Sequence, residues 1–241
     1  MVETTPNPRP RIAVVTGANR GLGYALASKL AHQGLTVVLT ARRLSDAEAA
    51  VATLMDDNVH VRPGELDIVA PASVNRLFSD IEREYGRLDV LINNAAIAID
   101  RGQKPSQADI ETVAATLDVN VLGTWRCCKQ AVRLMRKGGY GRITNVSSHM
   151  GSLAGTHDPG SAAYRVSKTA VNELTRIFAA ETRGENILVN SASPGTVETR
   201  MSYGTSRYTA AEAAEEMLWL SLLPDDGPTG GFFHGRETLD W

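Results

Sequence analysis

The stretch "RIAVVTGANRGLGYALASKLAHQG", residues 11–34, decides the fold. It opens with a short β-branched apolar run closed by Gly17, the pattern of a strand buried on both faces. It continues with Leu22, Leu26 and Leu30 four residues apart and stops at Gly34, the spacing of a helix. Between the two lies "TGANRGLG", 16–23. A glycine-rich turn after a strand and before a helix is the context in which backbone N–H groups meet a phosphate. Gly17, Gly21 and Gly23 are expected to let backbone approach a pyrophosphate, whose charge the helix dipole favours. Asn19, Arg20 and Leu22 share this turn. The spacing is G-x-x-x-G-x-G, not G-x-G-x-x-G. A glycine turn with no ligand is the competing reading, and the strand–turn–helix context weighs against it.

The same rhythm continues outward. "LTVVLTA" (35–41) reads as a second strand. "SDAEAAVATLMDD" (45–57) reads as a second helix, with Ser45 as N-cap and Glu48 completing a capping box. "VHVRPGELD" (59–67) is a weaker third strand, "PASVNRLFSDIEREYG" (71–86) a third helix and "LDVLINNA" (88–95) a fourth strand. One long helix is expected from about Gln107 to Lys137, then a fifth strand in "GRITNVSS" (141–148). A helix holding Tyr164, a strand in "NILVNSASPG" (186–195), a helix from about Ala210 to Leu222 and a strand in "GGFFHG" (230–235) follow. Strands alternating with helices give right-handed parallel βαβ units. The expectation is an α/β fold: a doubly wound parallel sheet of about seven strands, helices on both faces, in one domain over 11–241. Residues 1–10 read as a flexible Pro-rich arm with no secretory pattern.

Bulk properties narrow the function classes. The 241 residues include 43% hydrophobic and 22% charged residues, ordinary for a globular chain. Lys plus Arg number 25 against 27 Asp plus Glu, a net charge of -2, which argues against a nucleic-acid surface. No apolar run approaches the ~20 residues of a membrane span. The two cysteines, Cys127 and Cys128, are neighbours, so neither a disulfide framework nor a cysteine metal site is implied, and a reducing, cytoplasmic setting fits. The five histidines lack ligand spacing, and no metal site is expected. They read as structural or surface residues, with His149 alone near a substrate.

The end of the second strand bears on cofactor choice. A carboxylate there usually holds a ribose 2′-OH, ~20 residues past the glycines. This chain instead has Ala41, Arg42 and Arg43. Arginine grips a 2′-phosphate with parallel hydrogen bonds, and Arg20 adds a second cation at the same end. The alternative is a solvated charge run; the two cations together favour NADP(H) over NAD(H).

"AAYRVSKTA" (162–170) puts Tyr164 and Lys168 four apart on one helix face. A free tyrosine, with a pKa of ~10, is a poor acid at neutral pH. A neighbouring ammonium stabilises the phenolate and lowers that value. Chance Y-x-x-x-K pairs are common, so the company matters. "NVSS" ends strand five with Ser148, and "NNAA" (93–96) ends strand four. Both lie at the carboxyl edge of the sheet, where doubly wound folds bind ligands.

With these motifs in order, the chain resembles the classical short-chain dehydrogenase/reductase family over nearly its whole length, Ile12 to about Gly235. Within that family it is most similar to carbonyl reductases. The resemblance rests on TGxxxGxG at 16–23, Asp67, NNAA at 93–96, Asn120, Ser148, YxxxK at 164–168 and "PGTVETRM" from Pro194. It implies a Rossmann-type fold and reduction of ketones or aldehydes with NADPH. Tyr164 would be the proton donor, Lys168 the cation that tunes it and binds ribose, and Ser148 the hydrogen-bonder of the carbonyl oxygen. Asn120 would hold a water linking Lys168 to solvent. Asp67 and Ile68 would lie by the adenine, with Asn93, Ala95, Pro194, Gly195, Val197 and Thr199 along the cofactor. His149, Met150, Gly195, Met201 and Tyr203 would bound a small-molecule carbonyl substrate, under a flap too short to enclose it. Ser147 would point away from the site. Where the family usually has NNAG, this chain has Ala96. The resemblance also implies a homodimer or homotetramer. Two other readings stay open: an alcohol dehydrogenase working oxidatively, and a non-catalytic dinucleotide sensor on the same fold.

Overall fold

A computed structural model describes residues 10–54, 59–198 and 207–241. The strands are β1 (Ile12–Val15), β2 (Thr36–Ala41), β3 (His60–Glu65), β4 (Val90–Asn93), β5 (Gly141–Val146), β6 (Ile187–Ala192), β7 (Phe232–His234) and β8 (Glu237–Thr238). The helices are α1 (Gly21–His32), α2 (Leu44–Ala52), α3 (Pro71–Tyr85), α4 (Ile110–Leu117), α5 (Thr124–Gly138), α6 (Ala162–Glu181) and α7 (Ala210–Ser221). They build one sheet in the order β3-β2-β1-β4-β5-β6-β7-β8. Strands β1 to β7 run parallel, and β8 turns back antiparallel on β7 through His234 and Glu237.

Strand alternation explains the two-sided core. Ala13, Val15, Val37, Leu39 and Ile92 face one apolar layer, with Leu26, Leu30 and Met217 from α1 and α7. Val14, Val38, Leu91, Ile143 and Val189 face the other, with Phe78, Ile81, Leu134 and Phe178 from α3, α5 and α6. Each of the larger of these side chains contributes roughly 1.5–3 kcal/mol by leaving water. Because β4 lies beside β1, with β2 on the other flank, the strand order reverses at β1/β4. A crevice therefore opens at the carboxyl ends of these two strands.

Three local expectations are corrected. Helix α2 begins at Leu44 with Arg43 in the N-cap position and no side-chain cap, so the Ser45 capping box does not form. Arg43 instead bonds both carboxylate oxygens of Asp46, at 2.9 Å each, and this pair closes the first turn. The long helix is broken: a π-helical segment, Asp118–Gly123, separates α4 from α5. The sheet also gains β8, too short at two residues to show a period. The Thr209–Glu212 capping box at α7 does form. Among the described residues, no helix is long and apolar enough to cross a membrane. The expected arm at 1–10 lies almost wholly outside the described residues.

Candidate active site

The glycine turn leaves β1 and is clamped from both flanking strands. Ala18 N–H donates to the Thr40 carbonyl at the end of β2, at 2.7 Å. From the end of β4, Asn94 Nδ2 donates to the carbonyls of Thr16 and Gly17, at 3.0 Å each, and the N–H groups of Asn94 and Ala95 donate to Thr16 Oγ1. Gly17 and Gly21 have positive φ, 61° and 57°, which glycine adopts at little cost. Gly23 corrects part of the expectation. A Cβ there would lie 2.5 Å from Asn94 Nδ2 and 2.7 Å from the Gly17 carbonyl. This glycine lets α1 close onto its own loop, rather than exposing backbone to a ligand.

No side chain caps α1, and its first turn carries no acidic residue. Its N–H groups and dipole therefore face the crevice with positive character, a fit for a phosphate. Arg20 and Arg42 are exposed near Asp46, whose carboxyl the Arg43 hydrogen bond, with help from both arginines, holds below the usual range. Neither Arg20 nor Arg42 makes an ion pair among the described residues, whereas Arg43 is engaged by Asp46. The turn and its cations thus present positive character where a dinucleotide's phosphates would lie.

Several expected cofactor contacts turn their side chains inward. Leu22 and Val197 lie in one core layer and Ile68 in the other. Ile68 fills the space a Cβ on Gly123 would need. Asn93 is buried, donating to Asn145 Oδ1 at 2.8 Å and to Cys128 Sγ at 3.2 Å. These residues have only backbone to offer a ligand. Asp67 closes a local turn by accepting from Val69 N–H at 3.1 Å. Asn19, Ala95, Pro194 and Gly195 stay half-buried along the crevice. Thr199, Met201, Tyr203 and most of the expected flap lie outside the described residues.

The four catalytic candidates come from three elements: α6, the turn after β5 and the π segment. Lys168, on α6, is 3% exposed, and its Nζ donates to the Val146 carbonyl at the end of β5, at 2.7 Å. Burial pushes its pKa down to about 8. The Nζ lies 5.6 Å from the centroid of the Tyr164 ring. Ser148 opens a 3-10 turn, His149–Gly151, and its Oγ accepts from Met150 N–H at 3.2 Å. That turn packs so closely on α6 that a Cβ on Gly151 would meet Lys168 backbone at 2.8 Å. Ser147 does face away, its hydroxyl donating to the Lys168 carbonyl at 3.3 Å.

Asn120 sits in the π segment. The wider turn brings its amide against the β4 loop: Oδ1 accepts from Ile97 N–H at 2.8 Å, and Nδ2 donates to the Ile97 carbonyl and to Ser167 Oγ. Both donor hydrogens of the amide are thereby engaged. The side chain thus clamps the β4 loop to α6.

Ser193, Tyr208 and His234, not expected here from the sequence, join the expected His149 to complete the wall. His149 Nδ1 lies 2.6 Å from Ser193 Oγ, and its ring meets His234 edge-on at 4.9 Å. Ser193 Oγ also accepts from His149 N–H at 3.0 Å, so this serine holds both the backbone and the ring of His149. Burial and His234 together push the His149 pKa down. Tyr208 Oη approaches His234 Nε2 at 3.5 Å, and both rings crowd the space a Cβ on Gly195 would take. No spacing rule links 149, 193, 208 and 234, because only the sheet edge brings them together.

A glycine turn at the switch point, beside a lysine–tyrosine pair, places the chain among dinucleotide-dependent oxidoreductases. The family model for short chain dehydrogenases matches residues 11–210, and the chain belongs to that family. It is 32% identical to NADPH carbonyl reductase 1 of Sus scrofa, over 96% of this chain and 94% of that protein. It is 33% identical to NADPH carbonyl reductase 3 of Homo sapiens, over 96% and 98% respectively. The solved structure of salutaridine reductase from Papaver somniferum superimposes with a TM-score of 0.80 at 29% identity, covering 93% of this chain and 99% of that one.

Proposed function

We propose that this chain is an NADPH-dependent carbonyl reductase that converts ketones or aldehydes to alcohols. The observation that carries the reading is the buried Lys168 ammonium beside the Tyr164 ring, one strand-end from Ser148. The relatives named for NADPH carbonyl reduction support it. The cofactor, when bound, supplies the hydride. The glycine turn, the α1 N-terminus, Arg20 and Arg42 would hold its phosphates.

The chain's own residues handle the proton. Ser148 Oγ accepts from Met150 N–H, which leaves its hydroxyl proton to donate to the substrate oxygen. Tyr164 donates the second hydrogen bond to that oxygen and then the proton itself, as general acid. Lys168 makes the phenolate left behind affordable at neutral pH, since an ammonium favours it through a poorly screened interior. Its Nζ has three donors, and the Val146 carbonyl uses one. Tyr164→Phe keeps the ring and removes the proton donor. It should leave NADPH binding intact and lower ketone turnover by about 100-fold or more. A wild-type rate would refute the assignment.

The chain is also proposed to self-associate through α5 and α6. Trp125 and, on the adjoining π segment, Leu122 are exposed, as are Val166 and Ile177 on α6. Of the small residues on α6, Ala163 and Ala179 are buried within the chain and take no part in such a contact. Light scattering that returned a single-chain mass at micromolar concentration would refute this.

A further inference from the structure

Helix α6 carries both Tyr164 and Lys168, yet its N-terminus lacks a local cap. Ser161 occupies the N-cap position at φ 57°, in the left-handed region, and makes no capping bond. A conventional N-cap residue is extended, so that its side chain reaches the first-turn N–H groups. Here Ser161 Oγ instead accepts from Gly102 N–H at 3.2 Å.

The cap comes from Asp100, in the loop between β4 and α4. Asp100 is 0% exposed. Its Oδ2 accepts from Ala163 N–H at 2.6 Å and from Tyr164 N–H at 3.4 Å. Its Oδ1 is buried without a hydrogen-bond partner among the described residues. A buried carboxylate is an expensive way to close a helix, so what it holds is informative. Charge-assisted acceptance at a helix N-terminus is the strong form of capping. One of the two N–H groups held belongs to Tyr164 itself.

We propose that Asp100 is a positioning residue for the reaction: it fixes the first turn of α6 and so the point from which the Tyr164 phenol projects. The proposal rests on the reading of Tyr164 as proton donor. The same loop engages the rest of the site. Asn94 holds the glycine turn and Ile97 holds Asn120, while Gln103 receives Ala162 N–H at 3.4 Å. Asp100 is where this loop grips the catalytic helix, and a displacement of about 1 Å at a reacting group is enough to lower rates by about 100-fold.

The test compares Asp100→Ala with Asp100→Asn. Three quantities are measured: NADPH affinity by fluorescence, steady-state reduction of an accepted ketone, and hydrogen exchange of the peptide spanning 161–168 in cofactor-free protein. For Asp100→Ala, exchange in that peptide should accelerate by about tenfold, kcat should fall by about 10- to 100-fold and NADPH affinity should stay within about twofold. For Asp100→Asn, the amide oxygen can accept the same two N–H groups, so protection and most of kcat should return. Wild-type kcat in Asp100→Ala overturns the proposal. So does a parallel loss of kcat and NADPH affinity that Asp100→Asn does not rescue, since that is general unfolding. If Asp100→Ala does not fold, Asp100→Asn decides alone: normal protection with kcat still reduced tenfold or more overturns positioning. A wild-type rate in Tyr164→Phe would sink the catalytic reading beneath it, so the two failures are distinguishable.

Discussion

Replacing Lys168 by methionine should separate stability from catalysis. Methionine keeps the length of the side chain and removes its charge. Lys168 is 3% exposed, and its pKa falls from 10.5 to about 8 on burial. At about 1.36 kcal/mol per pH unit, holding the ammonium in the fold costs about 3 kcal/mol at pH 7. Methionine removes that penalty but leaves the Val146 carbonyl without its donor, which costs about 1–3 kcal/mol. The variant should therefore match wild type at pH 7 or exceed it by up to about 2 kcal/mol. The sign with pH is sharper. Between pH 8 and 10.5 the unfolded chain still holds the lysine proton that the folded chain has released, so the lysine contribution to wild-type stability rises through this window. The methionine variant lacks that rise. Its advantage over wild type should shrink by about 2–3 kcal/mol from pH 7 to pH 10. Urea unfolding of both cofactor-free proteins across that range measures the difference, and other titrating groups largely cancel between them. Turnover, meanwhile, should fall by about 100-fold or more, because the phenol loses its cation. Stability curves that run parallel from pH 7 to pH 10 would refute a buried, charged Lys168.

Two further outcomes follow from the cofactor end. Arg20→Leu with Arg42→Leu should lower kcat/KM for NADPH by about tenfold or more and leave NADH nearly unchanged, because a 2′-phosphate would lose its charge-assisted donors; an unchanged NADPH-to-NADH ratio would refute the role of these arginines. Gly23→Ala should destabilise the fold by roughly 1–3 kcal/mol and weaken NADPH binding, since its methyl meets Asn94 Nδ2 and the Gly17 carbonyl within 2.7 Å; thermal unfolding and fluorescence titration at wild-type values would show that α1 can shift to admit it.

What the amino-acid sequence determined by itself is local and periodic. Seven strands and most helices were legible because a buried strand must be an apolar run and a packed helix must repeat every three or four residues. Pro71 at the start of α3 and Gly86 at its end mark that helix through backbone rules alone. The Tyr164–Lys168 pair was legible because i and i+4 share a helix face, and the glycine turn because backbone conformation there selects glycine. Only the tertiary structure decided what depends on elements distant in the chain. It showed that Leu22, Ile68, Asn93 and Val197 turn into the core, since a side chain's direction is set by the packing of its whole layer. It put a π turn at 118–123, where Asn120 gains three hydrogen bonds to Ile97 and Ser167 that no local pattern encodes. It gathered His149, Ser193, Tyr208 and His234 at one sheet edge, and set Asp100 on a helix that begins more than sixty residues later. Contacts of that range are made by the crossing of strands and loops, and a sequence pattern read a few residues at a time has no period with which to announce them.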